Sequence, residues 1–169
     1  LETSSVYIYI PDEKLKIYGD LLRIITAQSM EYFSSRPMEN KQTILFCLDE
    51  FASFGKLQIV ESLRKLRKRR IRILVLTQSV SDVDMIYGKD ERKAMLGNFK
   101  FTVILGCKDT ETQEYFSKMI GEKRSLLATD PYQKPQPIIK PADLAHLEQD
   151  LFVICDDGAI RLKKNFYFK

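Results

Sequence analysis

The sequence predicts an α/β domain: a mainly parallel sheet flanked by helices, with a C-terminal β-hairpin at one edge. Three observations predict it. Short β-rich runs alternate with helical stretches from the start of the chain to Gly121, the pattern of βαβ units. Two of the runs, 43–48 and 71–77, are apolar on both faces, as strands covered from both sides of a parallel sheet are. Beyond residue 150 two β-rich runs flank Asp156-Asp157-Gly158, which reads as a hairpin turn.

Taken in order, residues 6–10 are β-rich and stop at Pro11, which reads as a first strand. From Asp20 the residues Leu21, Leu22, Ile24, Ile25, Tyr32 and Phe33 recur at helical spacing, with Asp20 as N-cap after Gly19 and Pro37 as the stop. The strand 43–48 follows, then a helix over 56–69 with Ile59, Leu63 and Leu66 on one stripe, then the strand 71–77. Residues 79–98 read as a polar helical stretch broken at Gly88, and 99–105 as another strand. The next helix carries Thr110 and Gln113 in capping-box spacing, an apolar face of Tyr115, Phe116, Met119 and Ile120, and Gly121 as its stop. Four of the six prolines lie between Pro131 and Pro141, so this stretch is an extended connection. Residues 151–155 and 160–168 close the chain as the hairpin.

With 44% apolar and 30% charged residues, the composition is that of an ordinary soluble domain with a core, and the net charge of +4 permits an acidic partner without demanding one. Cys47, Cys107 and Cys155 are odd in number, far apart and without CxxC spacing, so they read as buried reduced thiols. No apolar run approaches the ~18 residues of a membrane span, and no signal peptide is visible. The chain opens at Leu1 almost directly on a strand-like run, so it reads as a single domain excised from a longer protein.

In an open α/β sheet the ligand site lies outside the carboxyl ends of the strands. The strand 43–48 ends in Asp49-Glu50, the Walker B pattern. Magnesium on a nucleotide keeps several waters and takes a carboxylate in its inner or outer shell, a role suited to Asp49. Glu50 then polarises the attacking water. Acidic strand ends are common because loops are polar, so this pair alone is a weak signal. The strand 71–77 adds Thr77-Gln78-Ser79 near the same mouth. Gln78 has the reach and chemistry to hydrogen-bond the γ-phosphate or the water; the plainer reading is a polar strand end with Ser79 or Ser81 capping a helix.

These residues resemble a known family. Leu48-Asp49-Glu50-Phe51-Ala52-Ser53-Phe54-Gly55, Leu76-Thr77-Gln78-Ser79 and Ile86-Tyr87-Gly88 are similar to the coupling proteins of conjugative type IV secretion systems, the TraG/TraD type. The resemblance continues through Asp109-Thr110-Glu111-Thr112, Phe116-Ser117-Lys118-Met119-Ile120-Gly121 and Lys140-Pro141-Ala142-Asp143-Leu144 into the hairpin. It implies a RecA-like P-loop ATPase motor and ring-shaped hexamers. It implies ATP-driven transfer of single-stranded DNA with attached protein, and relaxosome proteins and secretion-channel ATPases as partners. It also implies a position on the cytoplasmic face of the bacterial inner membrane, with the anchor preceding the motor. Asp49 and Glu50 match the family's Walker B carboxylates, and Gln78 its glutamine after the next strand.

One departure narrows this. The sequence has no Gly-x4-Gly-Lys-Ser/Thr loop, whose backbone amides and lysine grip the phosphates. In the family that loop lies upstream, before an inserted all-α domain. The chain therefore reads as the Walker B half of the motor. ATP and magnesium belong to the complete protein. The half alone is expected to bind neither tightly, to be inactive as an ATPase, and not to form hexamers by itself.

Arg64-Lys65-Leu66-Arg67-Lys68-Arg69-Arg70, with Arg72, puts seven basic residues in nine positions. Three readings stay open. It is a solvated helix face; or, as the resemblance implies, it supplies an arginine finger to a neighbouring subunit's nucleotide, with Arg67 preferred and Arg69 the alternative; or it contacts DNA phosphates without sequence preference. His146 is the single histidine and reads as a surface or partly packed residue, not a zinc ligand. The function expected from the sequence is thus a motor part that couples the relaxosome to a secretion channel. The alternatives are a docking module for a relaxosome or channel component, a role described in the family for part of this region, and a fragment of a related hexameric DNA translocase.

Overall fold

A computed structural model describes residues 4–39, 41–123 and 135–167. They fall into two compact units: residues 4–78 with 82–98, and residues 79–81 with 99–167.

In the first unit the predicted first strand is absent. Residues 4–10 are irregular and mostly exposed, and helix α1, Asp12–Ser34, begins at Pro11 instead. β-propensity measures fit to a neighbouring strand, and among the described residues none lies beside this run. Proline suits a helix start because its missing N–H would be unsatisfied there anyway. Asp20 is therefore inside the helix, where its carboxylate pairs with Arg23 at 3.1 Å, and is not an N-cap. The helix ends at Ser34, before Pro37, as expected.

β1, Ile44–Leu48, and β2, Ile71–Val75, pair in parallel with Ile44 opposite Ile71 and Leu48 opposite Val75. One face of this pair is covered: Phe33 of α1 meets Phe46 edge-on at 5.9 Å, and Leu48 and Ile71 are buried. The other face is not. Leu45 is 61% exposed, Leu74 is 47% exposed, and Cys47, opposite Leu74 in register, is exposed as well. Cys47 is thus an exposed thiol, against the expectation of burial. The reason is that two apolar faces were legible in β1 while only one has a cover among the described residues.

After β1 come a 3-10 turn, Phe51–Phe54, and α2, Ile59–Arg67, shorter at both ends than the predicted 56–69. The polar stretch is two helices, α3, Val80–Tyr87, and α4, Lys89–Leu96, divided at Gly88 as predicted. Gly88 has φ 78°, a left-handed conformation that a side chain would strain.

The second unit contains β3, Thr102–Ile104, α5, Thr110–Ile120, the short pair β4, Glu122–Lys123, and β5, Gln136–Pro137, and a 3-10 helix, Pro141–His146. It closes with β6, Asp150–Cys155, and β7, Gly158–Lys163. The hairpin turn falls at residues 156–157 and the antiparallel order is β3-β6-β7, so the hairpin extends β3 with β7 at the edge. Ile104, Cys107, Ile120, Ile139, Leu144, Leu147 and Phe152 form its core. His146 is exposed. Part of the proline-rich connection, residues 131–134, lies outside the described residues.

The cap of α5 is Asp109, not Thr110: its carboxylate accepts the Thr112 N–H at 2.9 Å and the Ser81 hydroxyl at 3.1 Å. Burial pushes this carboxyl up, but the donors of Thr112 and Ser81 outweigh it and hold the group below its ordinary value. Gln113 does not reach back to the cap. Its amide donates to the Cys107 and Lys108 carbonyls, tying the loop after β3 to the helix. Burial, then the nearby Asp109 charge, pushes the Cys107 thiol up to about 11, so this buried cysteine is inert near neutral pH.

Candidate nucleotide site at the ends of the parallel strands

The parallel pair delivers its two strand ends side by side. Leu76 N–H donates to the Leu48 carbonyl at 3.0 Å, and Phe51 N–H donates to the Leu76 carbonyl at 2.8 Å, so the ladder continues past both strands. Asp49-Glu50 and Thr77-Gln78 are therefore neighbours. Gln78 Nε2 donates to Glu50 Oε2 at 3.0 Å. Asp49 is exposed, and its Oδ1 accepts the Glu50 N–H at 3.0 Å, which shapes the turn. Three of the four site residues expected from the sequence thus converge.

Glu50 sits in the left-handed region, with φ 49° and ψ 55°. For a non-glycine residue this costs about 1–2 kcal/mol. The contacts on either side hold it there: Phe51 is anchored on Leu76, and the Glu50 carbonyl accepts the Ser53 N–H at 2.8 Å. Arg70, with φ 59°, is the other non-glycine residue in this region among the described residues.

The fourth residue, Arg67, is elsewhere. It is exposed in the last turn of α2, four residues before β2 begins. The carbonyl of Arg70 accepts the Ile44 N–H, so this end of α2 abuts the amino ends of both strands. Five strand residues at about 3.3 Å each separate it from the carboxylates. Arg67 does not serve the Glu50 of its own chain. Arg69 is half-buried and donates to the Arg36 carbonyl, while buried Arg36 donates to the carbonyls of Gln42 and Arg69 at 2.7 and 2.9 Å. These contacts tie the chain just after α1 to the segment before β1 and to the turn after α2.

Sequence reasoning passed over the residues that support the site. Tyr87 stacks on Phe51 with ring centroids 5.4 Å apart and planes 9° from parallel. Arg92 of α4 grips Asp84 of α3 with two hydrogen bonds of 2.8 and 3.1 Å, and both side chains are nearly buried. The only signals were the Ile86-Tyr87-Gly88 segment and charges eight residues apart, neither of which points to residues near 50.

The donor set fits magnesium on a nucleotide. It offers hard oxygens, and among the described residues no cluster of three metal-ligating side chains occurs. A cation that keeps its waters and takes one or two carboxylates suits such a site better than one needing a full protein cage.

A family model described as "TraM recognition site of TraD and TraG" matches residues 43–149, more than half of the chain. The chain belongs to this TraG/TraD family. Its curated relatives include protein VirD4 of Agrobacterium fabrum, 24% identical over 98% of this chain, and the conjugal transfer protein TraG of the same organism, 23% identical over 92%. This TraG/TraD segment spans 27% and 26% of those two proteins. Among solved structures it is similar to the plasmid coupling protein TrwB bound to the non-hydrolysable GTP analogue GDPNP. The TM-score is 0.79 and the identity 25%, over 93% of this chain and 40% of TrwB. TrwB with ADP and Mg2+ matches at a TM-score of 0.73 and 26% identity, over 89% of this chain and 39% of TrwB. The RecA-like α/β fold class expected from the sequence is borne out.

Proposed function

We propose that this segment is the carboxylate-bearing half of the ATP-driven motor of a conjugative coupling protein, which links relaxosome proteins and single-stranded DNA to a type IV secretion channel at the cytoplasmic face of the inner membrane. The observation that carries the reading is the Glu50–Gln78 hydrogen bond at the adjoining ends of two parallel strands. Bound magnesium nucleotide supplies a polarised γ-phosphate. Asp49 would hold the metal through water. Glu50 would take the proton of the attacking water, with one carboxylate oxygen kept in orientation by Gln78. Arg67, at the far end of the strands, has a role only toward the nucleotide of another subunit of a hexamer.

The 169 residues lack a Gly-x4-Gly-Lys-Ser/Thr loop to grip the phosphates, so in this reading the loop belongs to another segment of the complete protein. The complete protein is expected to hydrolyse ATP, and this segment alone is expected neither to hydrolyse ATP nor to bind it tightly with magnesium. Tight magnesium-dependent binding in a calorimetric titration of the segment would remove the half-site reading.

The open side of β1 and β2 supports the same division, because parallel strands in such folds are covered on both faces. Cys47 reports on it. In the isolated segment a maleimide is expected to label Cys47 within minutes at pH 7.5, while Cys107 labels only on unfolding. In the complete protein, labelling of Cys47 is expected to slow by at least about 100-fold if the remainder packs on this face. Equal rates in both would place the cover elsewhere.

A second reading has a specific observation behind it: the matching family is described as a recognition site for TraM. Docking of an accessory DNA-processing protein on this segment is compatible with a motor role. Capture of such a protein by the segment alone, unchanged when Asp49 and Glu50 are replaced by Ala, would show docking that does not depend on the nucleotide site.

A further inference from the structure

Between Glu50 and α2 the chain makes a tight loop whose apolar anchor is Phe51, fully buried. The Phe51 ring lies flat against Tyr87, the last residue of α3. The Tyr87 hydroxyl goes on to grip the far end of the same loop: it accepts the Leu57 N–H at 3.1 Å and donates to the Gly55 carbonyl at 3.2 Å. Lys56, between these two residues, pairs with Glu91 of α4 at 2.7 Å. One side chain therefore holds residue 51 with its ring and residues 55 and 57 with its hydroxyl.

The helix end that carries Tyr87 is itself braced. Asp84, one turn earlier, is locked to Arg92 across the Gly88 break. Burial pushes the Tyr87 phenol up, and the nearby Glu91 charge adds to this, so the hydroxyl stays protonated and able to donate throughout the working range. Phenylalanine here would keep the stack and remove one donor and one acceptor from the loop backbone.

From this arrangement we infer that Tyr87 is a positioning residue for Glu50, holding the loop that keeps Glu50 in its left-handed conformation under Gln78. The inference rests on the proposed role of Glu50. It extends the site to a residue that acts through the loop rather than on the carboxylate itself. Loss of the hydroxyl lets the loop relax and lets the carboxylate drift from its aim, and a misplacement of about 1 Å costs up to about 100-fold in rate.

The test is Tyr87→Phe, read in two ways. In the complete protein, kcat for ATP hydrolysis is expected to fall about 10- to 100-fold with KM for ATP within about twofold. In native-state hydrogen exchange, the Leu57 amide is expected to exchange about 5-fold faster, because it loses its hydrogen-bond acceptor. An unchanged kcat overturns the inference, and so does a parallel loss of kcat, KM and thermal stability, which marks a merely structural residue. If the wild-type complete protein hydrolyses no ATP, the reading of Glu50 fails with it. The Leu57 exchange rate then shows separately whether Tyr87 holds the loop. If Tyr87→Phe does not fold cooperatively, the wild-type chain decides: an unprotected Leu57 amide in the folded protein overturns the inference.

Discussion

Glu50→Gln in the complete protein is expected to bind magnesium nucleotide with an affinity within about threefold of the wild type and to lose at least about 100-fold in turnover, the usual contribution of a general base. The substitution keeps the side chain's length and planar end. It keeps one oxygen to accept the Gln78 amide, so the strand-end geometry at 3.0 Å survives. What it removes is the ability to take a proton. Asp49→Asn should behave differently, because the metal side of the site then loses its charge and nucleotide binding weakens along with turnover. Steady-state hydrolysis and a nucleotide titration separate the two. Near-normal turnover by Glu50→Gln would take the base assignment away from this residue.

Asp84→Asn is expected to destabilise the first unit by about 3–5 kcal/mol, the usual cost of removing one partner of a buried ion pair. The Arg92 side chain is 5% exposed and that of Asp84 11%. Asparagine fits the space but takes the negative charge out of the two-bond contact with Arg92. At roughly 2–4 °C per kcal/mol for a protein of this size, a melting midpoint about 10 °C lower follows. The double change Asp84→Leu with Arg92→Met should recover much of the loss, because replacing a whole buried pair by apolar residues is often neutral. Calorimetry of the wild type, Asp84→Leu, Arg92→Met and the double variant in a cycle gives the coupling directly. Additive losses would show that the two residues are stabilised by other neighbours.

The elements that sequence made legible are those with internal punctuation. The break between α3 and α4 is announced by Gly88, and the end of α5 by Gly121. The hairpin is announced by Asp156-Asp157-Gly158. The polar residues at the strand ends were legible because the apolar runs ending at Leu48 and Leu76 stop abruptly at Asp49 and Thr77. What was not legible depends on neighbours. Residues 6–10 have strand composition, but a strand needs a partner, and the chain uses Pro11 to begin α1 instead. Thr110 and Gln113 have capping-box spacing. Asp109, one residue earlier, is the better cap because its carboxylate reaches both Thr112 and Ser81. Cys47 looked like core because β1 is apolar on both faces, and composition does not say which face is covered. Tyr87 was invisible as part of the site because it meets Phe51 36 residues away in sequence, through ring stacking that no local spacing encodes.

The left-handed backbone at Glu50 has a consequence for how the chain tolerates change. Asparagine or glycine adopts φ 49° more easily than glutamate does, so at this position folding and chemistry favour different residues. Selection of the isolated segment for heat resistance alone would replace the carboxylate early and lose nothing it was selected for. Only selection that scores the work of the complete protein keeps a glutamate there, so a stabilised library of this segment would carry its history of function as a residue that thermal stability alone does not choose.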